Sequence, residues 1–147
     1  MSTHETRLAW TLGERPFRHE GHGRAPQVFL ADRPLEVPAA KACRGNLQLT
    51  NPEEQLVAVL PSCHMPSFLT VAVKRGLEVQ RHDDRAVGTL GKNDEGHLAI
   101  TSCVLHPRIA LSVPVEGAEL EALHERAHHA CFIAQSCKTV VTIESGV

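Results

Sequence analysis

The sequence predicts an α+β fold, and three observations carry that prediction. A long apolar stretch over 51–75 has helix start and stop signals. Two strand-like stretches, 77–91 and 97–113, flank the turn sequence Lys92-Asn-Asp-Glu-Gly96. A second helical pattern over 117–136 is followed by the β-rich close at 138–144. At 147 residues the chain is expected to form a single domain, 1–147. Strands and loops fill 1–50, and helix, hairpin, helix and strand follow over 51–147.

Taken in order, residues 6–12 place Leu8, Trp10 and Leu12 on one side of an extended chain, which is a strand pattern. Residues 13–26 are broken by Gly and Pro and read as a loop. A short strand fits 27–31. The stretch 32–50, with Pro34, Pro38 and Gly45, reads as a connection. Thr50 or Asn51 can then cap a helix, and Pro52 suits its first position. Glu53 and Glu54 sit where the helix dipole favours negative charge. Lys74, Arg75 and Gly76 mark its end. This helix is nearly apolar all round and is expected to be buried. Pro61 and Pro66 each remove a backbone donor, so a kink beside Cys63 is expected. The segments 77–91 and 97–113 should pair as one antiparallel hairpin. In the second helix Leu120, Leu123, Ala127, Ala130, Cys131 and Ala134 recur at helical spacing.

Composition narrows the function. Net charge is −2 with histidine neutral and no long basic run occurs, which argues against nucleic acid or an anionic membrane as partner. No run of 18 apolar residues occurs, so no membrane span is expected. The start, Met-Ser-Thr-His-Glu-Thr-Arg, lacks an apolar signal core, which favours a cytoplasmic location. Five cysteines at irregular spacing do not suggest a disulfide framework. They suggest catalytic, metal-binding or merely buried thiols in a reducing compartment.

Two of those cysteines stand in apolar helices: Cys63 in Leu60-Pro-Ser-Cys63-His-Met-Pro66, and Cys131 in Ala127-His-His-Ala-Cys131. If they meet, one thiol can attack a peroxide and the other can close a disulfide on the resulting sulfenic acid. A rival grouping also exists. His124, His128 and Cys131 fall at i, i+4 and i+7, a spacing that can hold zinc with Cys63 as fourth ligand. A third reading is a redox sensor or thiol-binding module that oxidises but barely turns over. Cys43, Cys103 and Cys137 read as small core residues.

These motifs resemble the OsmC/Ohr family (osmotically inducible protein C and organic hydroperoxide resistance protein). Asn51-Pro-Glu-Glu54, with a cysteine ten residues after Glu53, is similar to the family's first signature. Ala127-His-His-Ala-Cys131 resembles its second, an Ala-His-Glu-x-Cys frame. The likeness covers roughly residues 45–145. His129 replaces the usual glutamate, and Phe132 replaces the proline many members carry. The resemblance implies antiparallel sheets packed around a long central helix and a second helix, in an intertwined homodimer. It implies a thiol-dependent peroxidase that reduces organic hydroperoxides to alcohols without metal or other cofactor, recycled by an external thiol reductant such as a dihydrolipoyl group or another dithiol. Carried over by position, Cys63 is the peroxidatic cysteine and Cys131 the resolving one. Glu53 is the carboxylate that holds a catalytic arginine, for which Arg18 is the first choice, with Arg24 and Arg44 as rivals. Ten helical residues rise about 15 Å, so Glu53 cannot touch Cys63 along a straight helix. A bridging arginine, the kink or a partner chain must close that gap.

Overall fold

The computed structural model describes residues 2–11, 14, 26–31, 33–37, 49–115 and 117–146. The chain divides into two compact units, Met1–Gln55 and Leu56–Val147.

The first unit holds a three-stranded antiparallel meander, β1 (Arg7–Ala9), β2 (Gln27–Leu30) and β3 (Arg33–Glu36). β1 is shorter than the 6–12 pattern suggested. β3 corrects the reading of 32–50 as pure connection. Its Pro34 lies opposite Phe29, and a proline is tolerated there because β3, among the described residues, is an edge strand with no further neighbour to receive a donor. The Arg7 guanidinium lies 3.6 Å above the Phe29 ring.

The long helix α1 (Pro52–Lys74) begins where the sequence placed it. The Glu54 amide donates to Asn51 Oδ1 at 2.8 Å, and the Asn51 amide donates to Glu54 Oε2 at 3.1 Å. This reciprocal box satisfies two of the amides a helix start leaves without partners. At the other end Gly76 adopts φ 71°, which lets its amide reach Val73 O and the Leu77 amide reach Ala72 O. α1 stays helical through Pro61 and Pro66.

The expectation of all-round burial is not met. Only Leu60, His64, Phe68 and Ala72 are buried, one stripe at four-residue spacing, while Val59, Met65 and Val73 are exposed. α1 is also long and apolar enough, by length and composition, to cross a bilayer. That corrects the expectation based on unbroken apolar runs. Its buried stripe nevertheless packs into two cores of this chain, as a core helix does.

Those cores lie against two sheets. The single hairpin expected over 77–113 is instead four strands: β4 (Val79–Asp83), β5 (Ala86–Lys92), β6 (Leu98–Leu105) and β7 (Arg108–Leu111). β4 pairs with β7, and β5 with β6, all antiparallel. The break falls at Asp84-Arg85 and His106-Pro107. Pro107 offers no amide to a ladder, and the His106 amide turns aside to Arg85 O and Asp84 Oδ1. β8 (Val140–Ile143) adds to β6 in parallel, so this sheet is mixed. The β4–β7 sheet packs through Ile109, Val79 and Leu111 on Phe68 and Ala72 of α1, together with Leu120, Leu123 and Ala127. The β5–β6–β8 sheet packs through Cys103, Leu105 and Val141 on Leu60. Gly88 of β5 lies so close to Val57 that a Cβ there would collide with its side chain.

The second helix is also not continuous. α2 (Gly117–Ala130) stops, Cys131 takes an extended conformation (φ −79°, ψ 107°), and α3 (Phe132–Ser136) follows. His128 O, released from the regular ladder, accepts from the Cys131 amide at 3.1 Å and from Gln135 Nε2 at 3.4 Å.

Candidate active site

The fold brings Cys63 and Cys131 together. The Cys131 thiol lies beside that of Cys63, close enough for the two to influence each other's ionisation, and both are free thiols. Cys63 sits on α1, half-buried. Cys131 is 1% exposed, at the break between α2 and α3. That break matters because the extended residue ends one helix and starts another at the thiol itself. Burial pushes the Cys131 thiol up, and the neighbouring Cys63 thiol pushes the same way, against the backbone amides of Ala134 and Ile133, which favour its thiolate. Cys131 is thus held as a protonated thiol beside Cys63.

The other predicted site residues are less complete. Glu53 lies in the first turn of α1, and its Oε2 is buried with no hydrogen-bond partner among the described residues. A carboxylate oxygen in that state calls for a donor. Arg18, Arg24, Arg44 and Cys43 lie outside the described residues. Cys103 is fully buried and burial raises its thiol, so it is a core residue.

The sequence reading missed a histidine cluster directly behind Cys63. His64 is 1% exposed and His124 is 3% exposed. His64 Nε2 and His124 Nδ1 share a 3.0 Å hydrogen bond, with rings stacked at 15° and centroids 5.3 Å apart. The Phe68 ring lies 4.5 Å from that of His124, and His82 lies 5.7 Å from Phe68. Burial first, and then the neighbouring imidazoles (His124, His82 and His128 for His64; His82 for His124), lower both His64 and His124 to about 4. Both are therefore neutral at pH 7. The signal was present in the sequence, because His64 occupies the second place of the Leu60–His64–Phe68–Ala72 stripe at helical spacing. His124 thus faces His64, while Cys131 faces Cys63. Among the described residues no three His, Cys, Asp or Glu side chains stand where they could share a metal ion.

A family model of OsmC-like proteins matches residues 45–146. The chain belongs to the OsmC-like family. An OsmC-like protein of unknown function from Vibrio cholerae is 32% identical, with a TM-score of 0.91, covering 99% of this chain and all of its own. Two more distant members share the fold. An organic hydroperoxide resistance protein from Legionella pneumophila is 19% identical, with a TM-score of 0.74, and covers all of both chains. Another, from Bacillus subtilis, is 17% identical, with a TM-score of 0.70, and covers 97% of this chain and 98% of its own. No curated protein matches. The OsmC-like fold confirms the α+β class.

Proposed function

We propose that this OsmC-like protein reduces organic hydroperoxides to alcohols through its two paired thiols. The observation that carries this reading is that the Cys131 and Cys63 thiols lie side by side. It sets a half-buried nucleophile next to a second, fully buried thiol.

In the proposed cycle the Cys63 thiolate attacks the outer oxygen of the hydroperoxide. The S–O bond forms, the O–O bond breaks, and the alkoxide takes a proton and leaves as alcohol. Cys63 is then a sulfenic acid. Cys131 displaces its hydroxyl as water and closes the disulfide, which an external dithiol reduces. A buried, protonated Cys131 suits the second step, because it does not compete as nucleophile for the first. Val59, exposed one turn before Cys63 on the same face of α1, offers an apolar approach that favours an organic chain over hydrogen peroxide. The unpartnered Glu53 oxygen supports a role in holding an arginine, with Arg18 as candidate. The names of the Legionella and Bacillus relatives point to the same chemistry.

Cys63→Ser should abolish consumption of an organic hydroperoxide in a dithiol-coupled assay. Cys131→Ser should react once and then stall as a sulfenic acid or over-oxidise. If both variants turned over like the parent, the peroxidase reading would fall.

A further inference from the structure

The His64–His124 pair is costly for a core. Each ring keeps one buried nitrogen without a partner, Nδ1 of His64 and Nε2 of His124. Two leucines would pack the same space without leaving polar atoms bare. What the imidazoles add is direction. Apolar stripes tolerate small slides and rotations of one helix on another, whereas a 3.0 Å hydrogen bond between buried rings does not.

The placement of the pair is specific. His64 directly follows Cys63 on α1. His124 lies two turns before Cys131 on α2. The bond therefore ties together the two helices that deliver the two thiols. It also sits between the α1 contacts with the two sheets, Leu60 on one side and Phe68 on the other. A disulfide forms only when the two α-carbons come within roughly 4.4–6.8 Å and the side chains are correctly turned. A slip of one ångström between α1 and α2 is a large fraction of that window.

We propose that His64 and His124 are positioning residues for the thiol pair: their hydrogen bond fixes how α1 meets α2 and so sets the ease with which Cys63 and Cys131 close a disulfide. The inference rests on the thiol pair being redox-active but not on hydroperoxide being its substrate. Its test therefore uses diamide, an azo oxidant. Two thiols each give up a hydrogen, the S–S bond forms, and the N=N bond takes up both hydrogens as a hydrazine.

The full chain is oxidised with diamide, and the Cys63–Cys131 disulfide is followed by mass mapping. Its equilibrium is measured against a dithiol buffer. His64→Leu should slow closure about tenfold and shift the equilibrium about tenfold toward the dithiol, or ~30 mV for two electrons. His64→Gln, whose amide can reach His124 Nδ1, should restore both to within about threefold of the parent. A general loss of packing would not be repaired by the glutamine. A folded His64→Leu protein that closes the disulfide at the parent rate and potential overturns the proposal. Should the leucine variant not fold, His124→Asn and His124→Gln decide, since His124 bonds through Nδ1 and asparagine carries an amide atom at that same position, whereas glutamine carries it one methylene further out. Equal rates in those two variants overturn it as well. Loss of hydroperoxide reduction in the parent, with the histidine dependence intact under diamide, would remove the peroxidase reading and leave this one standing.

Discussion

Acidification should destabilise this protein well above the pH at which its carboxylates titrate. His64 and His124 titrate at about 4 in the folded chain, against 6.5 as the ordinary value. The folded-state value is depressed, so the unfolded chain binds more protons between the two. Stability is then fully present above about pH 6.5 and is lost as pH falls toward 4. At pH 5 each unfolded imidazole lies 1.5 pH units below its ordinary value. At about 1.36 kcal/mol per unit, each costs about 2 kcal/mol and the pair about 4 kcal/mol. That is a large part of a typical domain's stability of ~5–15 kcal/mol. Burial also lowers His82 and His128, the neighbouring imidazoles on β4 and α2, which adds in the same direction. Asp84, raised by burial, acts oppositely and only closer to the carboxylate range. Urea unfolding at pH 7 and pH 5, at one protein concentration, measures the difference. The parent should lose about 4 kcal/mol, and a His64→Gln/His124→Gln variant much less. Equal unfolding free energies at the two pH values in the parent would refute the reasoning. So would imidazole NMR titrations near 6.5 for both residues.

Other outcomes follow from the packing. Gly88→Ala should drive a methyl into Val57 and cost about 1–3 kcal/mol in urea unfolding, with β5 pushed off α1. Asn51→Ala should cost about 1 kcal/mol by removing the capping box, with thiol reactivity preserved. The exposed apolar residues of α1, Val59, Met65 and Val73, need cover, so light scattering should give about twice the 16.0 kDa chain mass. A monodisperse monomer with full thiol chemistry would rule out a shared site.

Much of this fold was legible because its signals are local. Asn51-Pro52 and Gly76 fix the ends of α1 through backbone needs that only those residue types meet cheaply. The Lys92–Gly96 turn fixes the β5–β6 hairpin. The misread elements are those where tertiary contacts override local pattern. β3 forms despite Pro34 because an edge strand requires no outward donor. The apparent hairpin splits because Pro107 and Asp84 act at the same level on neighbouring strands, which no single segment reveals. The break at Cys131 has no glycine or proline to announce it. Family signatures placed the two thiols, whereas His64 was hidden by being polar in an apolar stripe. A period-four reading of that stripe places it inside, and burial then demands a partner.

β8 closes its sheet beside β6, not beside the strand nearest in sequence, after α2 and α3 have intervened. Val140 faces Ser102, and further along the Gly146 amide reaches Pro107 O. During synthesis, therefore, the ribosome releases β5 and β6 as a hairpin with one row of backbone groups unclaimed. That row stays open until some forty further residues have emerged, roughly two to eight seconds at ordinary elongation rates. An unclaimed strand border in a nascent chain is where another chain can pair. Pulse-labelled hydrogen exchange during refolding should protect the β5–β6 amides before those of β8, and simultaneous protection would show that the hairpin never waits.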